Sequence, residues 1–93
     1  MPADLLEKTY RYEKLLAAAL LKAVPSSIEA SHMRAVANDF KIMADSYHKD
    51  GIHFLEKEDY VNALASFSYG HAWLDAGAKL GVFDVDDEIL FTI

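Results

Sequence analysis

Residues 60–78 read YVNALASFSYGHAWLDAGA. Nineteen residues pass with a single formal charge, Asp75, and apolar or small side chains stand on nearly every side of a helix. An ordinary surface helix carries one apolar stripe backed by a charged face. A helix without the charged face has to be covered on two sides, by neighbouring helices, by the chain's own tail or by another subunit. One face consists of Tyr60, Ala63, Leu64, Phe67, Gly70, His71, Leu74 and Ala78, and the other of Val61, Ala65, Tyr69, Ala72, Trp73, Ala76 and Leu80. Gly81 is placed to close the helix in the left-handed conformation that glycine tolerates.

Immediately before this stretch, Asp59 is placed to cap the helix and Glu56, Lys57 and Glu58 end the preceding one. A turn this short makes the two helices an antiparallel hairpin. The earlier helix shows the clearest periodicity in the chain. Met33, Ala37, Phe40, Ala44, Tyr47, Gly51 and Phe54 alternate steps of four and three, with Asn38, Asp45, Lys49 and Glu56 on the opposite side. Gly51 lies inside that stripe, where it costs about 1 kcal/mol of helix propensity relative to alanine. Close approach of a neighbouring helix is the expected compensation. Before it, Ser26 and Glu29 form a capping box after Pro25. The first helix starts at Asp4, with Glu7 three residues on as the other half of a capping box, and carries the stripe Leu5, Thr9, Tyr12, Leu16, Ala19, Leu20 and Ala23. Beyond Gly81, residues 82–93 alternate acids with Phe83, Val85, Ile89, Leu90, Phe91 and Ile93, too apolar a mix for disorder. The expectation is one all-α domain over residues 1–93: a three-helix up-and-down antiparallel bundle with helices at about 4–24, 27–57 and 59–80, and a packed C-terminal tail at 82–93.

Composition narrows the function classes. Of fifteen acids, Asp84, Asp86, Asp87 and Glu88 supply four, which leaves residues 1–83 with eleven acids against nine bases. No basic stripe exists, and Lys8, Arg11, Lys14 and Lys22 are interleaved with Glu7 and Glu13, so nucleic acid is not an expected partner. The apolar run around Leu64–Leu80 is interrupted by His71 and Asp75, so a buried helix fits better than a membrane span and no membrane is expected as a partner. The start, Met-Pro-Ala-Asp, offers no basic region before an apolar block, so no signal peptide is expected. With no cysteine, the chain has neither disulfides nor thiolate chemistry, and a cytoplasmic location is the default.

The stretch from Tyr47 to Phe83, with Gly51, Phe54-Leu55, Asp59-Tyr60, Ala63-Leu64, Phe67-Ser68-Tyr69, Trp73-Leu74-Asp75-Ala76-Gly77 and Leu80-Gly81, resembles a small archaeal family catalogued as domain of unknown function 357. Lys57-Glu58 stands where the family pattern has a glycine-type turn. The resemblance implies a three-helix up-and-down bundle and no activity. Tyr47, Gly51, Tyr60, Ala63, Phe67 and Gly70 are also similar to the small/large pattern of tetratricopeptide-type and microtubule-interacting-type hairpins, which bind helices or extended peptides in grooves. Those shared residues are mainly the ones that close antiparallel packing needs.

Candidate chemistry is sparse. Three acid-x-x-His pairs occur: Glu29/His32, Asp45/His48 and Asp50/His53. Such pairs build di-metal sites when two helices face each other. Here His48 and His53 point roughly 140° apart on one helix, and His32 is about 30 Å from His53, so local pairing in solvent is the plain reading. His71 with Asp75 one turn on forms a polar pair on an apolar face. It reads either as a His–Asp base or half of a metal site, or as a packing histidine bonded to Asp75 or a backbone carbonyl. Asp84-x-Asp86-x-Glu88 has the opening spacing of a calcium loop but lacks the glycine and the closing glutamate. No catalytic residue, metal site or cofactor is assigned. Tyr10, Tyr69 and Trp73 fall off the main stripes, as amphipathic aromatics at interfaces do. The expected function is a non-enzymatic helical interaction or scaffold module, self-associating or binding a protein partner through Tyr69, Trp73, Leu80, Phe83 and Phe91. The alternative is a small metal- or ligand-binding enzyme centred on His71 and Asp75.

Overall fold

The computed structural model describes residues 4–25, 31–85, 87, 90 and 91, with three helices: α1 (Leu5–Lys22), α2 (Ser31–Glu56) and α3 (Tyr60–Leu80). This is the all-α bundle that the periodicity predicts. Asp4 caps α1 by accepting the Glu7 N–H at 3.1 Å. The Glu7 carboxylate does not complete the capping box; it turns outward to Arg11, 3.3 Å away. α1 stops two residues earlier than the apolar pattern suggests. Ala23 leaves helical geometry at ψ 78° and the Val24 N–H closes a tight turn onto the Lys22 carbonyl at 2.8 Å. Proline restricts the residue before it to extended backbone, so the helix unwinds ahead of Pro25. The Ser26/Glu29 box and the expected start of the second helix at 27 lie outside the described residues.

Asp59 caps α3, accepting the Asn62 N–H at 3.2 Å and its side-chain amide at 2.7 Å. At the other end Gly81 takes φ 77°, and the Val82 N–H donates back to the Gly77 carbonyl at 3.0 Å. The α2–α3 turn needs the same left-handed backbone, and Glu58 supplies it at φ 59°.

Helix directions follow from a few contacts. The Thr9 hydroxyl of α1 lies 3.4 Å from the Tyr60 carbonyl at the start of α3, and beyond α1 the Val24 carbonyl accepts the Asp84 N–H at 2.8 Å. Thus α1 and α3 run parallel, with α2 antiparallel to both. α3 lies between the other two: Phe67, Tyr69 and Trp73 meet α2, and His71 and Asp75 face α1. The two sides point well apart around the helix axis, so α1 and α2 meet each other least. The Cα envelope accordingly measures 47 × 23 × 15 Å, a slab rather than a rod.

Small residues set the spacing. Ala37, Ala44, Ala63, Gly51 and Gly70 are buried along the α2–α3 seam. The ring of Phe67 lies so close over Gly51 that a Cβ there would overlap it, which is the compensation expected for a glycine inside the α2 stripe. Gly70 is the crossing point of all three helices. A Cβ on it would stand 2.9 Å from Leu16 of α1 and 3.1 Å from the Ala44 carbonyl of α2. Leu16, Phe67, Leu74, Phe83 and Phe91 fill the core, each contributing about 1.5–3 kcal/mol of burial.

The tail packs, and it chooses the α1–α3 seam. Phe83 folds back over Gly77, and Pro25 and Phe83 form an isolated antiparallel bridge. Lys22 of α1 pairs with Asp87 at 3.0 Å, Asp87 accepts the Leu90 N–H at 3.2 Å, and Leu90 and Phe91 are buried. Ile89, Ile93 and the acids Asp86 and Glu88 of the suspected calcium spacing lie outside the described residues.

Candidate functional site

The tail covers the inner side of α3 and leaves its outer side open. Val61, Tyr69 and Leu80 are 66%, 62% and 57% exposed, and Ala65, Ala72 and Ala76 between them are exposed as well. These six residues follow one another at steps of four, four, three, four and four, which keeps them within about 100° of one another around the helix. Asn62, Ser68 and Lys79 are the other exposed members of that face. The face is about 30 Å long and holds one charge, Lys79 at its C-terminal end. Large apolar residues exposed singly are ordinary. Six uncharged side chains contiguous on one helix are not.

Trp73 stands at the border of this face. It is half-buried, with its ring edge-on to Phe40 of α2 at 5.0 Å and 69°. Tyr69, further out, leans on Tyr47 with ring centres 5.8 Å apart. Phe83 and Phe91 correct the expected interaction set. They are 4% and 2% exposed because the tail turns back through Gly81, so their rings fill the chain's own core and cannot meet a partner. Tyr10, on α1, remains exposed and lines a separate shallow surface with Arg11 and Lys14.

The polar pair sits on the inner border. The Nε2 of His71 donates to the Leu90 carbonyl, and the Asp75 carboxylate lies 3.8 Å from the same nitrogen, beyond hydrogen-bonding reach. A carbonyl only accepts, so this contact assigns the Nε2 proton and makes His71 the anchor of the tail. The ring also packs against Phe91, centre to centre 6.4 Å. Beside the pair, Tyr12, Ser68 and Ala72 line a half-open pocket of about 290 Å³. With its Nε2 proton given to main chain, His71 keeps only Nδ1 as a proton acceptor.

His48 departs from the local pair that spacing suggests. His48 turns away from Asp45 and meets Glu13 of α1 at 2.8 Å, while Asp45 pairs with Lys49 at 3.1 Å. The His48–Glu13 contact bridges α1 and α2 where the two helices otherwise diverge. Next to it, Leu20, Leu21, Lys41, Ile42 and Lys49 border an open groove of about 790 Å³. His53 rests against Phe54, and Glu29, the partner expected for His32, lies outside the described residues. Among the described residues no three His, Asp or Glu side chains converge where they could hold a metal ion. No helix among them is long and apolar enough to cross a membrane.

Comparison with known proteins adds one finding. A family model described as "Protein of unknown function (DUF357)" matches residues 11–83, which take in all of α2 and α3 and the greater part of α1. Neither the curated proteins nor the solved structures contain a match.

Proposed function

We propose a function for this chain from the premise that it belongs to the DUF357 family, a membership that carries a fold and no chemistry. The protein acts as a non-enzymatic helical docking module whose working surface is the outer face of α3. The observation that carries this reading is the uncharged stripe of Val61, Ala65, Tyr69, Ala72, Ala76 and Leu80, exposed over the full length of the helix. A solvated face gains from charge, and among the described residues the solvated faces of α1 and α2 have it. Exposed contiguous apolar surface of this kind marks interaction sites. Tyr69 adds a rigid ring with a polar tip, the type of side chain enriched at interfaces. The pocket beside His71 and Asp75 supports an enzyme less well, since His71 is held by the tail.

Hydroxyl-radical footprinting tests the proposal. Tyr69 and Leu80 are expected to be oxidised several-fold less inside the producing cell than in the dilute purified chain. Tyr10, 45% exposed on α1, serves as the control and keeps its labelling. Equal oxidation of Tyr69 and Leu80 in both settings removes the docking surface.

A further inference from the structure

The occupant of this face can be read from its pattern. We infer that the outer face of α3 is covered by the same face of a second copy of this chain, the two helices antiparallel about a two-fold axis passing between Gly70 and His71. The inference rests on the docking reading above and supplies its partner.

A two-fold interface must be self-complementary, because each residue meets the partner's residue at the mirrored position. For antiparallel helices this means that the spacing of contact residues reads the same in both directions. The steps four, four, three, four, four do so. Centred between residues 70 and 71, they set Val61 level with Leu80 of the second copy, Ala65 level with its Ala76, and Tyr69 level with its Ala72. Sizes match as well as positions. The tyrosine, the bulkiest side chain of the stripe, falls beside an alanine, and the two aliphatic ends meet each other. The alanine pairs between them let the backbones approach to about 8 Å, the close limit for packed helices. A partner of unrelated sequence would place no such constraint on the order of large and small residues.

Charge selects the same orientation. Exposed Glu58 stands just before α3 and Lys79 in its last turn. Antiparallel pairing brings Lys79 within about one helical turn of Glu58 of the second copy, twice over, and sets opposite ends of the two helix dipoles side by side. Parallel pairing would place Lys79 beside Lys79 and Glu58 beside Glu58. The stripe is roughly 30 Å long and one helix wide, about 10 Å, which is small beside the roughly 800 Å² that each partner buries in a stable complex. The dimer is therefore weak and reversible, forming as concentration rises through the micromolar range.

The chain contains no cysteine, so introduced thiols report without interference. The test uses the full chain carrying Ala65→Cys or Ala76→Cys, both exposed and both mild in a helix, with helicity checked by circular dichroism. Under gentle oxidation an equal mixture of the two variants forms a covalent dimer joining one chain of each kind. Neither variant alone does, because the two copies of residue 65 lie about 16 Å apart along the pair, beyond disulfide reach. Sedimentation of the wild-type chain shows a monomer–dimer equilibrium, and Tyr69→Glu weakens it on the order of tenfold or more. Self-linking of Ala65→Cys alone overturns the antiparallel register. A wild-type chain that stays monomeric at millimolar concentration overturns the second copy as occupant. If Tyr69 and Leu80 are still protected in the cell in that case, the docking reading survives and belongs to another protein.

Discussion

Ala63 and Ala65 stand two residues apart on α3 and meet opposite fates. Ala63 is buried against α2, and Ala65 faces solvent. The same holds for the faces they belong to. The inner one carries Phe67, Gly70, Leu74 and Gly77, and the outer one Val61, Tyr69, Ala72, Ala76 and Leu80. Both are uncharged, so hydrophobicity alone does not say which enters the core. What separates them is relief. The inner face alternates glycine with phenylalanine and leucine, making sockets into which Leu16 and Phe83 fit and, in Phe67, a knob that fills the hollow at Gly51. The outer face is smooth alanine with one large residue near the middle and one at each end. Close packing inside a fold demands interdigitation at crystal-like density. A smooth stripe suits a single straight neighbour.

The largest test of that contrast is truncation of one aromatic ring on each face. Phe67→Ala is expected to cost about 3–5 kcal/mol in urea-unfolding stability, whereas Tyr69→Ala changes the stability of the monomer by no more than about 0.5 kcal/mol. Similar losses for the two would erase the distinction between the faces. Adding or removing one methyl group sharpens it. Gly70→Ala gains helix propensity yet should lose about 1–3 kcal/mol, because the new Cβ enters the space held by Leu16 and the Ala44 carbonyl. On the outer face, Ala72→Gly should cost only the intrinsic propensity difference of about 1 kcal/mol. A stabilised Gly70→Ala variant would show that the three-helix crossing has slack.

His71, on the border of the inner face, offers a smaller effect. His71→Phe keeps a ring against Phe91 but leaves the Leu90 carbonyl without its donor, at a cost of about 1–2 kcal/mol. Limited proteolysis should then cut beyond residue 82 sooner than in the wild type, while α2 and α3 stay intact. An unchanged cleavage pattern would mean that Phe83 and Phe91 hold the tail unaided. The smallest change concerns neither face but the turn leading into them. Glu58→Gly relieves a left-handed backbone at φ 59° and should raise stability by about 0.5–1 kcal/mol, visible as a small upward shift in Tm.

How much of this was legible in the chain follows from range. Asp4 and Asp59 as caps, Gly81 as a stop and the close approach at Gly51 are local matters, decided within a turn or two, and each lies where periodicity put it. The partners of Glu13, His71 and Phe83 are decided by contacts between 6 and 35 residues distant along the chain, and spacing on one helix could not name them. His48 illustrates the difference. Asp45 is its neighbour at helical spacing, but α1 brings Glu13 close enough to displace it. Phe83 and Phe91 are ambiguous for a related reason: an apolar tail fits either a partner or its own bundle, and only the α1–α3 seam with Gly77 at its floor settles the choice. The outer stripe was visible as a surplus of apolar residues. Its exposure was not, since that depends on where the tail lies.

The wide angle between α1 and α2 has a kinetic consequence. The α2–α3 hairpin is held by contacts close in sequence and can zip from its three-residue connection, whereas α1 must find α3 and the tail across most of the chain. Short-range pairing precedes long-range docking in folding. Amide hydrogen exchange should therefore rank the molecule in two cooperative tiers, with the hairpin opening last and α1 released together with residues 82–91 as one earlier unit.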